Sequence, residues 1–164
     1  APTIIRQLSE RVKTPNTWLK IPAHPDDIGH HLSESWEIGP TEYLMSTAIS
    51  TTPAATISTK YKLRIDPEPE AIQVTIFTTT DGQEAARGRI GLAKQSIVID
   101  QVATSPEHRR QGLGSAVMSA LLNTAAEQGY KTGILVATEE GRALYNSLGW
   151  QLHNPITAAR YKGV

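Results

Sequence analysis

Cysteine is absent from the chain, which excludes thiol nucleophiles, zinc–thiolate centres and disulfides and fits a reducing compartment. Net charge is missing as well: 16 basic residues balance 16 acidic ones. The basic residues are scattered except at Arg109-Arg110, so an extended surface for nucleic acid or anionic membrane is not expected. No apolar run approaches the ~18 residues of a membrane span. The first residues, with Arg6, Glu10, Arg11 and Lys13 close together, hold no signal-peptide core. These absences lead us to expect a cytoplasmic protein whose partner is small. At 164 residues the economical expectation is one domain, 1–164, burying roughly 70 % of the surface its unfolded chain would expose.

What is present is organised around residues 101–128, QVATSPEHRRQGLGSAVMSALLNTAAEQ. The β-branched Ile97, Val98, Ile99 and Val102 predict a strand. After Gly114, Ala116, Val117, Ala120, Leu121, Thr124 and Ala125 recur at helical spacing. The turn between them therefore opens a helix, where unpaired backbone N–H groups and the positive end of the macrodipole can hold an anion. Gly112 and Gly114 permit close approach of a diphosphate, and Arg109 and Arg110 add charge. The competing reading is an ordinary helix start with two exposed arginines. A P-loop is excluded because no Gly-Lys-Ser/Thr triplet occurs. A dinucleotide fingerprint is excluded because Val117 stands where a third small residue is needed and no acidic residue ends a second strand at the right distance.

The run Val102-Ala103-Thr104-Ser105-Pro106-Glu107-His108-Arg109-Arg110-Gln111-Gly112-Leu113-Gly114 resembles the strand-to-helix signature of the GNAT superfamily of N-acetyltransferases. A second stretch is similar to the next strand and last helix of that family: Ile134 to Thr138, then Glu139 to Trp150 with its Leu144-Tyr145-Asn146-Ser147-Leu148-Gly149-Trp150 ending. The resemblance covers about residues 96–153, in order and spacing. It implies a single-domain α/β fold: a mixed, mostly antiparallel sheet with a central parallel pair, flanked by helices.

Read in order, residues 3–13 predict a helix with Ile4, Ile5, Leu8 and Val12 on one face, capped by Thr3 and ended before Pro15. Trp18 to Pro22 is a short apolar run, Pro25 to about Ser35 a second helical stretch, and Thr41 to Ile49 a third helix. Residues 1–55 are thus expected to be helical and to supply acceptor-side elements. His24, His30 and His31 lie near Asp26 and Asp27, but no second ligand cluster accompanies them, so no metal is expected. From Thr56 the period becomes two, with Ile57, Thr59, Tyr61, Leu63 and Ile65 on one face. Ala71 to Thr79 alternates again, Asp81-Gly82 marks a hairpin, and a turn at Lys94-Gln95 leads to the strand at Ser96. After the long helix, Gly129 ends it and Thr132 to Val136 forms a strand parallel to the one at Ser96. Glu139 to Leu148 is the last helix, stopped by Gly149, and Trp150 to His153 and Ile156 to Tyr161 are two strands split by Asn154-Pro155.

The resemblance implies acetyl-CoA as co-substrate, its pantetheine along Val102, Ala103 and Thr104, and its diphosphate at Arg109, Arg110, Gln111, Gly112, Leu113, Gly114 and Ser115. It implies Tyr145 as the general acid for the leaving thiolate. A phenol with an ordinary pKa near ~10 carries the proton that such a donor needs. Asp100, the one carboxylate in the strand before the loop, is the candidate general base, placed by alternation on the face of Val98 and Val102. Where many family members place an asparagine seven residues before the tyrosine, this chain has Thr138, which either contacts pantetheine through its hydroxyl or caps the following helix. The implied activity is acetyl transfer to the primary amine of a small-molecule acceptor, with no metal. A homodimer is left open. The alternative is an acyl-CoA-binding sensor that does not turn over.

Overall fold

The turn chemistry of residues 71–104 dictates a run of hairpins, and these form the larger part of the sheet. The computed structural model describes residues 2–163, apart from the side chains of Pro2 and Leu144, so the Leu144 of the quoted motif lies outside the described side chains. The fold is mixed α/β, with mostly antiparallel strands, one parallel pair and flanking helices. The chain divides into two compact units: residues 47–135, and residues 1–46 with 136–164.

In the 47–135 unit, β4 (Tyr61–Pro67), β5 (Ala71–Thr78), β6 (Glu84–Ala93) and β7 (Ser96–Thr104) pair antiparallel in sequence order. The turns match the residues that make them: Gly82 takes φ +70° and Lys94 φ +52°, the left-handed geometry of tight hairpins. Helix α3 (Leu113–Glu127) follows the loop, and β8 (Thr132–Ala137) returns parallel to β7, as a crossover helix requires. Ile72, Val74, Ile76, Ile90, Ile97, Leu113, Val117 and Leu121 are fully buried. Each contributes about 1.5–3 kcal/mol through burial. Helix α3 packs on β5, β6 and β7. It comes so close to Gly88 that a Cβ there would lie 2.4 Å from Val117 Cγ1 and 2.9 Å from Leu121 Cδ1.

β4 begins at Tyr61 rather than at Thr56, because a turn closes there, with the amide of Tyr61 donating to the carbonyl of Ser58 at 2.9 Å. The preceding coil is tied to α3 instead of to a strand. Asn123 Nδ2 donates to the Thr52 carbonyl at 2.8 Å, and the Thr52 amide donates to Asn123 Oδ1 at 2.8 Å.

In the other unit, α1 (Pro2–Arg11), β1 (Trp18–Ile21), the short α2 (Pro25–Ile28) and a 3₁₀ turn (Gly29–His31) are followed by two strands, β2 (Trp36–Ile38) and β3 (Glu42–Ala48). The helical expectation for 1–55 is therefore corrected: Thr41 to Ile49 is not a helix. Glu42 to Ser46 pairs with the C-terminal strand β9 (Gln151–Tyr161), and that long-range pairing overrides the helix propensity of Glu, Leu, Met and Ala. β9 also pairs with β1 and β2, and it is one strand rather than two. A bulge at His153, where Leu44 faces Asn154 and Met45 faces Leu152, lets the chain pass Pro155 without a break. The core here joins Trp36, Ala159 and Tyr161, with the Trp36 and Tyr161 rings 5.3 Å apart. After α4 (Glu139–Ser147), Gly149 turns the chain at φ +83°. Among the described residues no helix is long and apolar enough to cross a membrane.

Candidate active-site elements

β7 pairs with β8 only from Ser96 to Val98, opposite Thr132 to Ile134, and the register goes no further. Val102, Ala103 and Thr104 lie beyond that point, paired on their other side with Gly88, Arg87 and Ala86. On the β8 side these three residues have no ladder partner in β8. Between the paired and unpaired parts of β7 is a β-bulge: Ile90 faces Ile99 but Arg89 faces Gln101, which leaves Asp100 as the extra residue. This corrects the simple alternation. The inserted residue puts Val98 and Val102 on opposite faces, so Asp100 shares no face with both. Asp100 is exposed.

The loop then descends to α3. Pro106–His108 form a 3₁₀ turn, Arg110 takes φ +56°, and Gly112 takes φ +75° as the residue before the first helical turn. No side chain caps α3, and its first closed turn runs from the Ala116 amide to the Gly112 carbonyl at 3.0 Å. The amides of Leu113, Gly114 and Ser115 are those that helix geometry leaves without an internal acceptor. A Cβ on Gly112 would meet no protein atom within 4 Å, and one on Gly114 would come only to 3.7 Å from Thr104 Oγ1. The glycines thus face open space rather than packed neighbours, which suits a polyanion lying against the backbone. Arg109 and Arg110 are exposed, and Arg109 Nε reaches the Thr104 carbonyl at 3.5 Å.

Sequence reasoning missed the group that holds this loop. Tyr61, buried at the start of β4, places its hydroxyl 3.1 Å from His108 Nδ1 and 3.0 Å from Gln111 Oε1. The two rings meet edge to face at 88°, with centroids 5.6 Å apart. A tyrosine beginning an amphipathic strand gives no local signal of that role, because its partners lie 47 and 50 residues away.

Thr138 and Tyr145 belong to the other unit. Thr138 Oγ1 accepts from the Gly141 amide at 3.2 Å, so it caps α4. Tyr145 is half-buried against Trp150, with ring centroids 5.5 Å apart, and burial pushes its phenol above the ordinary tyrosine value, which keeps the proton on it at neutral pH. The first turn of α4 is fixed by a polar cluster. Arg142 pairs with Glu139 and stacks 4.4 Å from the Tyr43 ring, while the Tyr43 phenol donates to the Glu139 carboxylate. Sequence reasoning missed Tyr43 because it assigned that residue to a helix. Among the described residues no group of three or more His, Asp or Glu could hold a metal ion.

A strand that loses its parallel partner midway thus runs into a glycine-lined, arginine-flanked helix start that no side chain caps. Residues 73–152 match a family model described as an acetyltransferase (GNAT) domain, a class that performs acyl transfer. Solved structures share the fold. A GCN5-related N-acetyltransferase from Kribbella flavida is 18 % identical with a TM-score of 0.61, over 79 % of this chain and 61 % of that one. Another from Sphaerobacter thermophilus is 12 % identical with a TM-score of 0.70, over 92 % and 62 %. A tandem GNAT protein from the clavulanic acid biosynthesis pathway is 10 % identical with a TM-score of 0.72, over 97 % and 68 %. The chain thus spans about three fifths of the length of the first two. No curated protein matches it.

Proposed function

We propose that the chain transfers an acetyl group from acetyl-CoA to the primary amine of a small-molecule acceptor, by direct attack of the amine on the thioester. The observation that carries this reading is the start of α3. Gly112 is left-handed, no side chain caps the helix, the space over Gly112 is open, a Cβ on Gly114 would come no nearer than 3.7 Å to Thr104 Oγ1, and two arginines flank the turn. The amides of Leu113, Gly114 and Ser115 hold the diphosphate, with Arg109, Arg110 and Gln111 around it. The unpaired edge of β7 at Val102, Ala103 and Thr104 binds pantetheine, and the Thr138 hydroxyl, which accepts from Gly141, can still donate to it.

As the new C–N bond forms, the carbonyl oxygen takes negative charge. The C–S bond then breaks, and the thiolate receives the proton of the Tyr145 phenol. We assign Asp100 to take the proton that the amine must lose before or during attack, so the two protons balance. Asp100 is exposed at the bulge of β7, so its carboxylate is accessible.

The reading is tested with CoA itself. A ligand that binds only the native state adds about 2.7 kcal/mol at a hundred times its dissociation constant. Thermal melting should rise with CoA, and free thiol should appear when acetyl-CoA is mixed with an amine panel. No melting shift at millimolar CoA would refute the reading. A shift without thiol release from any amine would favour an acyl-CoA sensor.

A further inference from the structure

Tyr61 uses one hydroxyl to hold two loop residues, and the direction of those bonds can be worked out. A phenol has a single proton. Gln111 Oε1 can only accept, so the Tyr61 proton goes to it, at 3.0 Å. The Tyr61 oxygen must then accept from His108 Nδ1 at 3.1 Å, which puts a proton on that nitrogen. Donation thus runs one way, from His108 through Tyr61 to Gln111, and bonds aligned in this sense strengthen one another. With its oxygen turned to Tyr61, the exposed Gln111 amide presents its NH₂ group, two donors, at the other end. Turned the other way, the same amide would set an oxygen lone pair toward an anion.

Between the two anchored residues lies Arg110 at φ +56°, a conformation that a non-glycine residue keeps only where its surroundings hold it. The anchors sit on either side of it, at His108 and Gln111. We infer that Tyr61 is a positioning residue for the loop. Its hydroxyl fixes the Gln111 amide with the NH₂ outward and braces the left-handed Arg110, so the loop meets a diphosphate already arranged as a set of donors. The inference rests on the reading of this loop as the CoA diphosphate site.

The test is calorimetric titration of CoA into the wild type, Tyr61→Phe, Gln111→Leu and the double variant, with melting measured in parallel. Phenylalanine keeps the ring and its contact with His108 and removes only the hydroxyl. The dissociation constant should rise about five- to tenfold in each single variant, as expected for one lost hydrogen bond. The double variant should be no worse than the weaker single one by more than about twofold, because both changes cut the same chain. The nitrogen-15 signals of the His108 ring should show the Nδ1-protonated form in the wild type and a tautomer mixture in Tyr61→Phe. A wild type that binds CoA beside a Tyr61→Phe variant of equal affinity would overturn the inference, even if that variant melts lower. So would losses that multiply in the double variant. Failure of the wild type to bind CoA would remove the diphosphate reading first, and this inference with it.

Discussion

The loop from Ser105 to Ser115 and the start of α4 from Thr138 to Tyr145 are held by different forces. The loop rests on buried groups: the Tyr61 hydroxyl, and a helix whose Val117 and Leu121 press on Gly88. What it presents to a ligand is mostly backbone, which neither titrates nor changes rotamer. The start of α4 is held by exposed polar contacts among Tyr43, Glu139 and Arg142 and by the Thr138 cap. What it presents is one side chain, the Tyr145 phenol. On the proposed reading, affinity should therefore respond most to changes in the loop's backbone, and next to loss of charge at Arg109 or Arg110. Turnover should depend on a single oxygen atom and on the groups that hold its helix.

The sharpest break in that contrast is Tyr145→Phe. Removing the donor while keeping the ring against Trp150 should lower turnover about 10²- to 10⁴-fold, the usual worth of general-acid catalysis. CoA affinity should stay as in the wild type, because the loop is untouched. Steady-state kinetics with any amine that releases thiol provides the check. Equal losses in kcat and kcat/KM mark an interaction made in the transition state, and a rise in KM alone would reduce Tyr145 to a binding group.

Next in size is Gly88→Ala, which attacks the scaffold of the loop from below. The new methyl would lie 2.4 Å from Val117 Cγ1, so α3 must shift or the side chains must leave their rotamers. Overpacking of this kind costs about 1–3 kcal/mol. Urea denaturation should show the loss as a lower midpoint. Unchanged stability would mean that α3 floats on the sheet and that the loop is not braced by it.

Gly114→Val acts on the same loop with the opposite signature. A Cβ there is in ordinary contact with Thr104 Oγ1 at 3.7 Å, so the first added carbon fits. Helix propensity changes by only about 0.5 kcal/mol or less between glycine and valine. CoA affinity should nevertheless fall tenfold or more, about 1.4 kcal/mol, because the branched side chain occupies the space over the helix start. Unchanged affinity would place the anion elsewhere.

The parts of the fold that could be read from the sequence are those fixed by neighbours in the chain. Asp81-Gly82 and Lys94-Gln95 make their turns locally, and Gly112 opens α3 through its own backbone. The glycine turn into α3 was legible for the same reason. Residues 41–49 were not, because β3 exists only through pairing with β9 at the far end of the sequence. The bulge at Asp100 was hidden too, since a strand's alternation shows no insertion until its partner's register is known. Tyr43 and Tyr61 escaped notice because each acts through residues that the sequence places far away.

The smallest effect, and the one that separates the two regions most cleanly, is the pH dependence of the α4 start. The Glu139 carboxyl lies below its ordinary value, first because the Tyr43 phenol donates to it and then because Arg142 does. A carboxyl depressed in the folded state contributes stability that is present above its unfolded value, near 4.5, and lost as pH falls through the folded value. The Tyr43 phenol is raised, chiefly by its bond to Glu139, so its share is present below the ordinary tyrosine value of 10.0 and fades as pH climbs past it. Between those limits the phenol is protonated and the carboxylate ionised, as their hydrogen bond requires. Glu139→Gln should therefore melt slightly below the wild type at pH 7, and the difference should narrow as pH falls below 4.5 and close once the depressed folded carboxyl is itself protonated. The effect is small because both partners are largely in water and screened. If backbone amides and arginines of the loop hold CoA as proposed, its affinity should show no matching change in that variant at pH 7. A melting difference that does not narrow at all as pH falls below 4.5 would mean that Glu139 acts through packing rather than charge.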